Sequence, residues 1–173
     1  KVKNNKLNIF QRFRINRYKK NKQITFKEYE NAPDYVKMDS SIAMKVIRNQ
    51  ELSFNEFMTI VQFSNISLCE KPKCMDKFSN KELSQILKMG LISRYLFSEE
   101  KRNLIIEEDF ELLGGNINYI ECMEFIEYLK KTGKYDENKY ELIKAVSENV
   151  QYTMLKENPE LLSNISQEDQ IKY

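Results

Sequence analysis

A chain of 173 residues with 41% apolar and 31% charged side chains is long enough to bury a real core and too apolar to stay disordered. Four glycines and three prolines suit helices joined by short connections better than a sheet, and no apolar run approaches the ~20 residues of a membrane span. The sequence holds no histidine, no phosphate-cradling glycine loop and no Gly-x-Ser-x-Gly, which removes imidazole catalysis, a base for a cysteine nucleophile and the common phosphate sites; neither an enzyme nor a cofactor is expected.

Charge is unevenly placed. Ten of the 28 basic residues and none of the 26 acidic ones fall in residues 1–27, leaving 18 against 26 in the remaining 146, a net of −8. The plainer reading is a basic first helix against an acidic body. The alternative is an arm for nucleic acid, an anionic membrane or a targeting receptor. Three cysteines make an odd count, so no disulfide framework is expected and a reducing, intracellular compartment fits. That points to the cytoplasm, or to an organelle if a leader once preceded Lys1. Cys69 and Cys74 lack a second pair or a histidine, so no zinc site is expected.

Along the chain, a first helix is expected from about Lys6 to Arg17, with Leu7, Phe10, Phe13 and Arg14 on one side and Ile9 and Ile15 widening the stripe. ITFKEY (Ile24–Tyr29) opens a short helix that Ala32-Pro33 bends or restarts. SIAMKVI (Ser41–Ile47) is helical, and RNQE alone separates it from LSFNEF (Leu52–Phe57). FSNKEL (Phe78–Leu83) starts an apolar helix through Leu91, which Ser93–Phe97 would extend despite Gly90. Ser98 caps EEKRNLIIEEDFELL, with Leu104, Ile105 and Phe110 available for burial. After Gly114–Asn116, INYIEC (Ile117–Cys122) opens a helix with Cys122, Phe125, Ile126 and Leu129 on one face and Gly133 as its stop. One further helix is expected from about Asp136 to Glu157. Asn158-Pro159 ends it, before a partly ordered tail in which Leu161, Leu162 and Ile165 are free to dock.

Four of these helix starts share a pattern. Thr25, Ser53, Ser79 and Asn118 can each accept from the amide three residues on. Glu28, Glu56, Glu82 and Glu121 can reach back, which makes four capping boxes with apolar staples across them. The same pattern ends an EF-hand calcium loop, where the glutamate at position twelve is the bidentate ligand. ITFKEYENAP, LSFNEFMTIVQFS, NKELSQILKMG and INYIECMEFIEYL resemble the exiting helices of the EF-hand superfamily, the calcineurin B-like branch in particular, over roughly residues 9 to 131.

The resemblance implies an all-α fold of paired helix-loop-helix units: one lobe at 1–65, a second at 66–133, and an extra helix and tail at 134–173. It does not carry calcium binding with it. In its register the first loop offers Arg17, Lys19 and Asn21 at positions one, three and five, and the fourth offers Phe110, Leu112 and Gly114, with Gly115 at the glycine position. Cations and alkyl groups cannot ligate a hard dication. The spacings Glu28–Glu56 and Glu56–Glu82, 28 and 26 residues, are also short of the roughly 35 that a repeat needs. Either the loops have been lost, or acidic segments of a working calcium sensor are missing from this sequence.

By resemblance, the function expected is that of a non-catalytic structural or regulatory subunit. It would receive an amphipathic helix of a partner protein in a larger complex, without calcium. The apolar triads Phe57, Ile60, Val61 and Phe125, Ile126, Leu129 both follow a capping box and are the expected partner-binding residues, flanking one cleft.

Overall fold

In the computed structural model, which describes residues 7–21, 23–114 and 117–165, the chain is all-helical, and the described residues contain no strand beyond one isolated parallel bridge, Leu68 to Ile92. Among the described residues ten α-helices follow one another: α1 (Ile9–Lys20), α2 (Phe26–Glu30), α3 (Asp34–Lys37), α4 (Ser40–Asn49), α5 (Phe54–Phe63), α6 (Asn80–Lys88), α7 (Glu99–Glu108), α8 (Tyr119–Lys131), α9 (Tyr135–Ala145) and α10 (Glu148–Glu157). Short 3₁₀ turns fill several of the connections. Among the described residues no helix is long and apolar enough to cross a membrane.

Local chemistry sets the starts. All four expected capping boxes form. Ser53, for instance, gives its backbone N–H to Glu56 at 2.8 Å while the Ser53 hydroxyl oxygen accepts from the Glu56 amide at 3.4 Å. Thr25 with Glu28, Ser79 with Glu82 and Asn118 with Glu121 repeat the exchange. A fifth, at the start of α1, joins Asn8 to Gln11; its Asn-x-x-Gln spelling has the same physics, with an amide in place of the carboxylate.

The chain divides into two compact units, one of residues up to Glu82 together with Gly90–Leu96, the other of Leu83–Met89 together with Phe97 onward. The boundary falls within α6 rather than at 65/66. Residues 134–165 do not stand apart either, because Leu142, Val150, Met154 and Leu161 share one core with Phe125 and Leu129.

In the first unit the core gathers Ile24, Tyr29, Val36, Ile42, Val46 and Ile47 with the inner face of α5. Gln50, in the connection between α4 and α5, donates to the Ile24 carbonyl at 2.9 Å and accepts from the Phe26 amide at 3.0 Å. One amide side chain thereby satisfies two backbone groups that the start of α2 would otherwise leave open. The Tyr29 hydroxyl, fully buried, donates to the Lys37 carbonyl at 2.8 Å. Leu91 and Ile92 return to this unit, where the Leu68 amide donates to the Leu91 carbonyl at 2.8 Å.

The second unit departs from the sequence reading at three helix ends. α6 stops at Lys88, since Gly90 sits at φ +67°, and does not run on to Phe97. α7 stops at Glu108, and Phe110–Leu113 form a 3₁₀ turn; Ile105, Ile106 and Leu113 are buried, while Leu104 and Phe110 are half-buried. The single helix expected from Asp136 to Glu157 is two, parted by Val146 in extended backbone. The Gln151 side chain, buried in α10, donates to the Ile143 carbonyl at 3.0 Å and so closes the frayed end of α9. At the end of α8 the Gly133 and Lys134 amides return to Lys130 and Leu129 at 3.2 and 2.9 Å, with Gly133 at φ +74° as the expected stop. Gly114 is required for another reason: a Cβ there would lie 2.9 Å from the Ala145 carbonyl oxygen. Past Pro159, Leu161 and Ile165 are buried and Leu162 is exposed.

Candidate functional site

The positions singled out by the resemblance are occupied otherwise. Arg17 and Lys19 lie inside α1, and Lys19 pairs with Asp39 at 2.8 Å. Phe110 and Leu112 belong to the 3₁₀ turn and pack on the core of the second unit. Gly115 lies outside the described residues. Glu28, Glu56, Glu82 and Glu121 each close a capping box. At Glu28 the bonds from the Thr25 amide and hydroxyl hold the carboxyl below its ordinary range. Among the described residues no three acidic, cysteine or histidine side chains gather as a metal site. Cys74 and Cys122 are buried and Cys69 is exposed, and no disulfide joins them.

The six expected partner-binding residues are interior. Phe57, Ile60 and Val61 are 0, 0 and 7% exposed, and Phe125, Ile126 and Leu129 are 1, 1 and 0%. Phe57 meets Phe78 edge-on, with ring centres 5.7 Å apart, and Phe78 meets Phe54 in the same way at 5.6 Å. Phe125 lies edge-on to Phe110 at 6.1 Å and stacks on Tyr128 at 6.0 Å. The two triads fall in different units, each inside that unit's core, and offer no open face to a partner. The reason is periodicity: i, i+3, i+4 marks the face a helix buries, whatever covers it.

Sequence reading passed over the opposite side of α8. Residues 120, 123, 124, 127 and 131 recur at i, i+3, i+4, i+7 and i+11, one stripe on the helix. With Tyr119, Tyr128 and Glu99 of α7 they line a hollow of about 680 Å³. Ile120 is 67% exposed and Tyr119 44%, whereas Met123 and Tyr128 are half-buried and run into the core below. The rim is acidic, from Glu99, Glu124 and Glu127, with Lys131 at one end. Burial, and then the neighbouring Glu107 carboxylate, pushes the Tyr128 phenol up. Glu107 in turn accepts from Lys134 at 2.7 Å. The Tyr119 hydroxyl meets that of Thr153 of α10 at 3.2 Å, which fixes one ring at the edge of the hollow. The signal was present in the sequence as Ile120 and Met123 on the face opposite Cys122 and Phe125.

Comparison of the chain with protein-family models, with curated proteins and with solved structures gives no match.

Proposed function

We propose that the chain is a non-catalytic interaction subunit of EF-hand descent, one that takes a basic amphipathic helix of a partner protein onto the outward face of α8 and needs no calcium to do so. The observation that carries this reading is the shelf itself. An exposed isoleucine is flanked by two tyrosines and a methionine, and three glutamates stand around it. Apolar side chains of an incoming helix would be drawn from water by Ile120 and Met123, and lysines or arginines beside them would meet the rim. The fit to a cationic partner follows from sign, since a second acidic helix would be repelled. The four helix starts support the descent, because they keep the EF-hand pattern while their glutamates serve as caps.

The test is titration of the chain with a synthetic basic amphipathic helical peptide, read by hydrogen–deuterium exchange and by fluorescence anisotropy. Protection over α8, and an affinity at least tenfold lower for Ile120→Asp with unchanged circular dichroism, are the expected results. Peptide binding that ignores Ile120→Asp, or protection that avoids α8, would overturn the reading.

A further inference from the structure

Helix α1 carries apolar residues on both sides. Its inner line is Gln11, Ile15 and Tyr18, spaced i, i+4 and i+7, of which Ile15 is buried and the other two half-buried. Lys19 paired with Asp39 and Lys45 bonded to the Lys19 carbonyl hold its far end to the unit. The outer side is unlike a solvated face. Ile9, Phe10 and Phe13 are 77, 82 and 75% exposed. Ile9 and Phe13 stand in line with Lys20, and Phe10 stands in line with Arg14 and Arg17, so the first turns are apolar and the last are cationic.

Arg14 and Arg17 also line a cleft of about 650 Å³ with Lys27. Among the described residues that line the cleft the one acid, Glu28, is engaged by Thr25. Among the described residues Arg14, Arg17, Lys20 and Lys27 have no acidic partner.

We infer that the outer face of α1 docks on an anionic phospholipid surface, with Ile9, Phe10 and Phe13 entering the boundary between headgroups and acyl chains while Arg14, Arg17, Lys20 and Lys27 meet lipid phosphates. Charge and shape both point there. On this face Ile9, Phe10 and Phe13 project into solvent as an exposed ridge, with the cations of the later turns behind it. A bilayer interface accepts such a ridge at the depth of a helix face, and its negative potential draws the cations. Nucleic acid would satisfy the cations and stack on the rings, but it leaves the aliphatic Ile9 without a partner. This surface lies on other residues than the α8 shelf and stands independently of it.

The experiment is cosedimentation of the whole chain with vesicles of phosphatidylcholine alone and of phosphatidylcholine with phosphatidylserine, at low and high salt. Expected is binding to the anionic vesicles at least ~10-fold tighter than to the neutral ones, and weakened by salt. Phe10→Ser/Phe13→Ser should lower it by a factor of ten or more. Arg14→Gln/Arg17→Gln should lower it roughly 25-fold, about fivefold per cation. Both variants should keep the wild-type circular dichroism, because the altered side chains project outward. The inference is overturned if the chain ignores anionic vesicles, or if binding persists unchanged in Phe10→Ser/Phe13→Ser. It is equally overturned if single-stranded nucleic acid binds through these residues and displaces the vesicles, or if Phe10 and Phe13 are needed instead for self-association in sedimentation velocity.

Discussion

Truncating Phe57 and Phe125 separates an interior role from a partner-binding one. Both rings are sealed from water, and each meets other aromatic rings, Phe57 at 5.7 Å from Phe78 and Phe125 at 6.1 and 6.0 Å from Phe110 and Tyr128. Phe→Ala in such a site removes the transfer free energy of the ring and leaves a cavity, about 3–5 kcal/mol together. The lost edge contacts, about 0.5–1.5 kcal/mol each, push toward the upper end. With a urea dependence of about 2 kcal/mol/M, the midpoint should fall by roughly 1.5–2.5 M for the unit that carries the change. Phe10→Ala, on a ring 82% exposed, should move it by no more than about 0.5 kcal/mol equivalent. Urea titrations followed by far-ultraviolet circular dichroism decide the matter. If Phe57→Ala or Phe125→Ala costs less than about 1 kcal/mol, the side chain is not core and the burial argument fails.

The capping boxes predict that Ser53→Ala costs about 1 kcal/mol while Glu56→Gln is nearly silent, since an amide also completes the box; thermal melts showing the reverse order would mark Glu56 as a ligand instead. Calcium and chelator should leave the melting temperature unchanged, and a calcium-induced rise of several degrees in scanning calorimetry would restore the sensor reading. Gln151→Leu should cost about 1–3 kcal/mol by stranding the Ile143 carbonyl, with the added amide exchange concentrated at the α9–α10 junction. Burial pushes the Tyr29 phenol up to about 12. Because the folded value is raised, its stabilising term is whole below the unfolded value near 10 and lost as pH climbs to about 12. Tyr29→Phe should therefore make the alkaline loss of stability shallower in urea titrations, and an unchanged slope would contradict the assignment.

Features that depend on three or four neighbouring residues were the ones legible in the sequence. The glutamate-closed capping boxes, the Ser98 cap, the Ala32-Pro33 break and the Gly133 stop are all local chemistry, and all stand where their residues put them. The inner face of α8 was likewise readable from its spacing. What escaped reading depends on distant partners. Val146 looks like one more member of an apolar stripe, and only the bond from Gln151 to Ile143 shows why the helix breaks beside it. Phe10 and Phe13 look like core because periodicity cannot tell a covered face from an open one. The α8 shelf is hidden for the converse reason, since Ile120 and Met123 stand among glutamates and a lysine and make no apolar stripe to match the one at 125, 126 and 129. The absorption of residues 134–165 into the second unit is a fact of packing that no local pattern announces.

The return of residues 90–96 to the first unit bears on how the molecule is made. Synthesis proceeds from the N-terminus, and domains generally fold as they emerge. Here the first unit cannot close when Glu82 has been added, because the Leu68 amide still waits for the Leu91 carbonyl and Ile92 has yet to take its buried place. By the time Leu91 and Ile92 are added, Leu83 and Ile86, both buried in the finished protein, have already been made, while α7 to α10 are still to come. Cutting the gene after residue 82 would thus remove part of the first unit's own interior, and a fragment ending at Leu96 carries apolar side chains whose unit is absent. The two units cannot be separated by one cut of the chain.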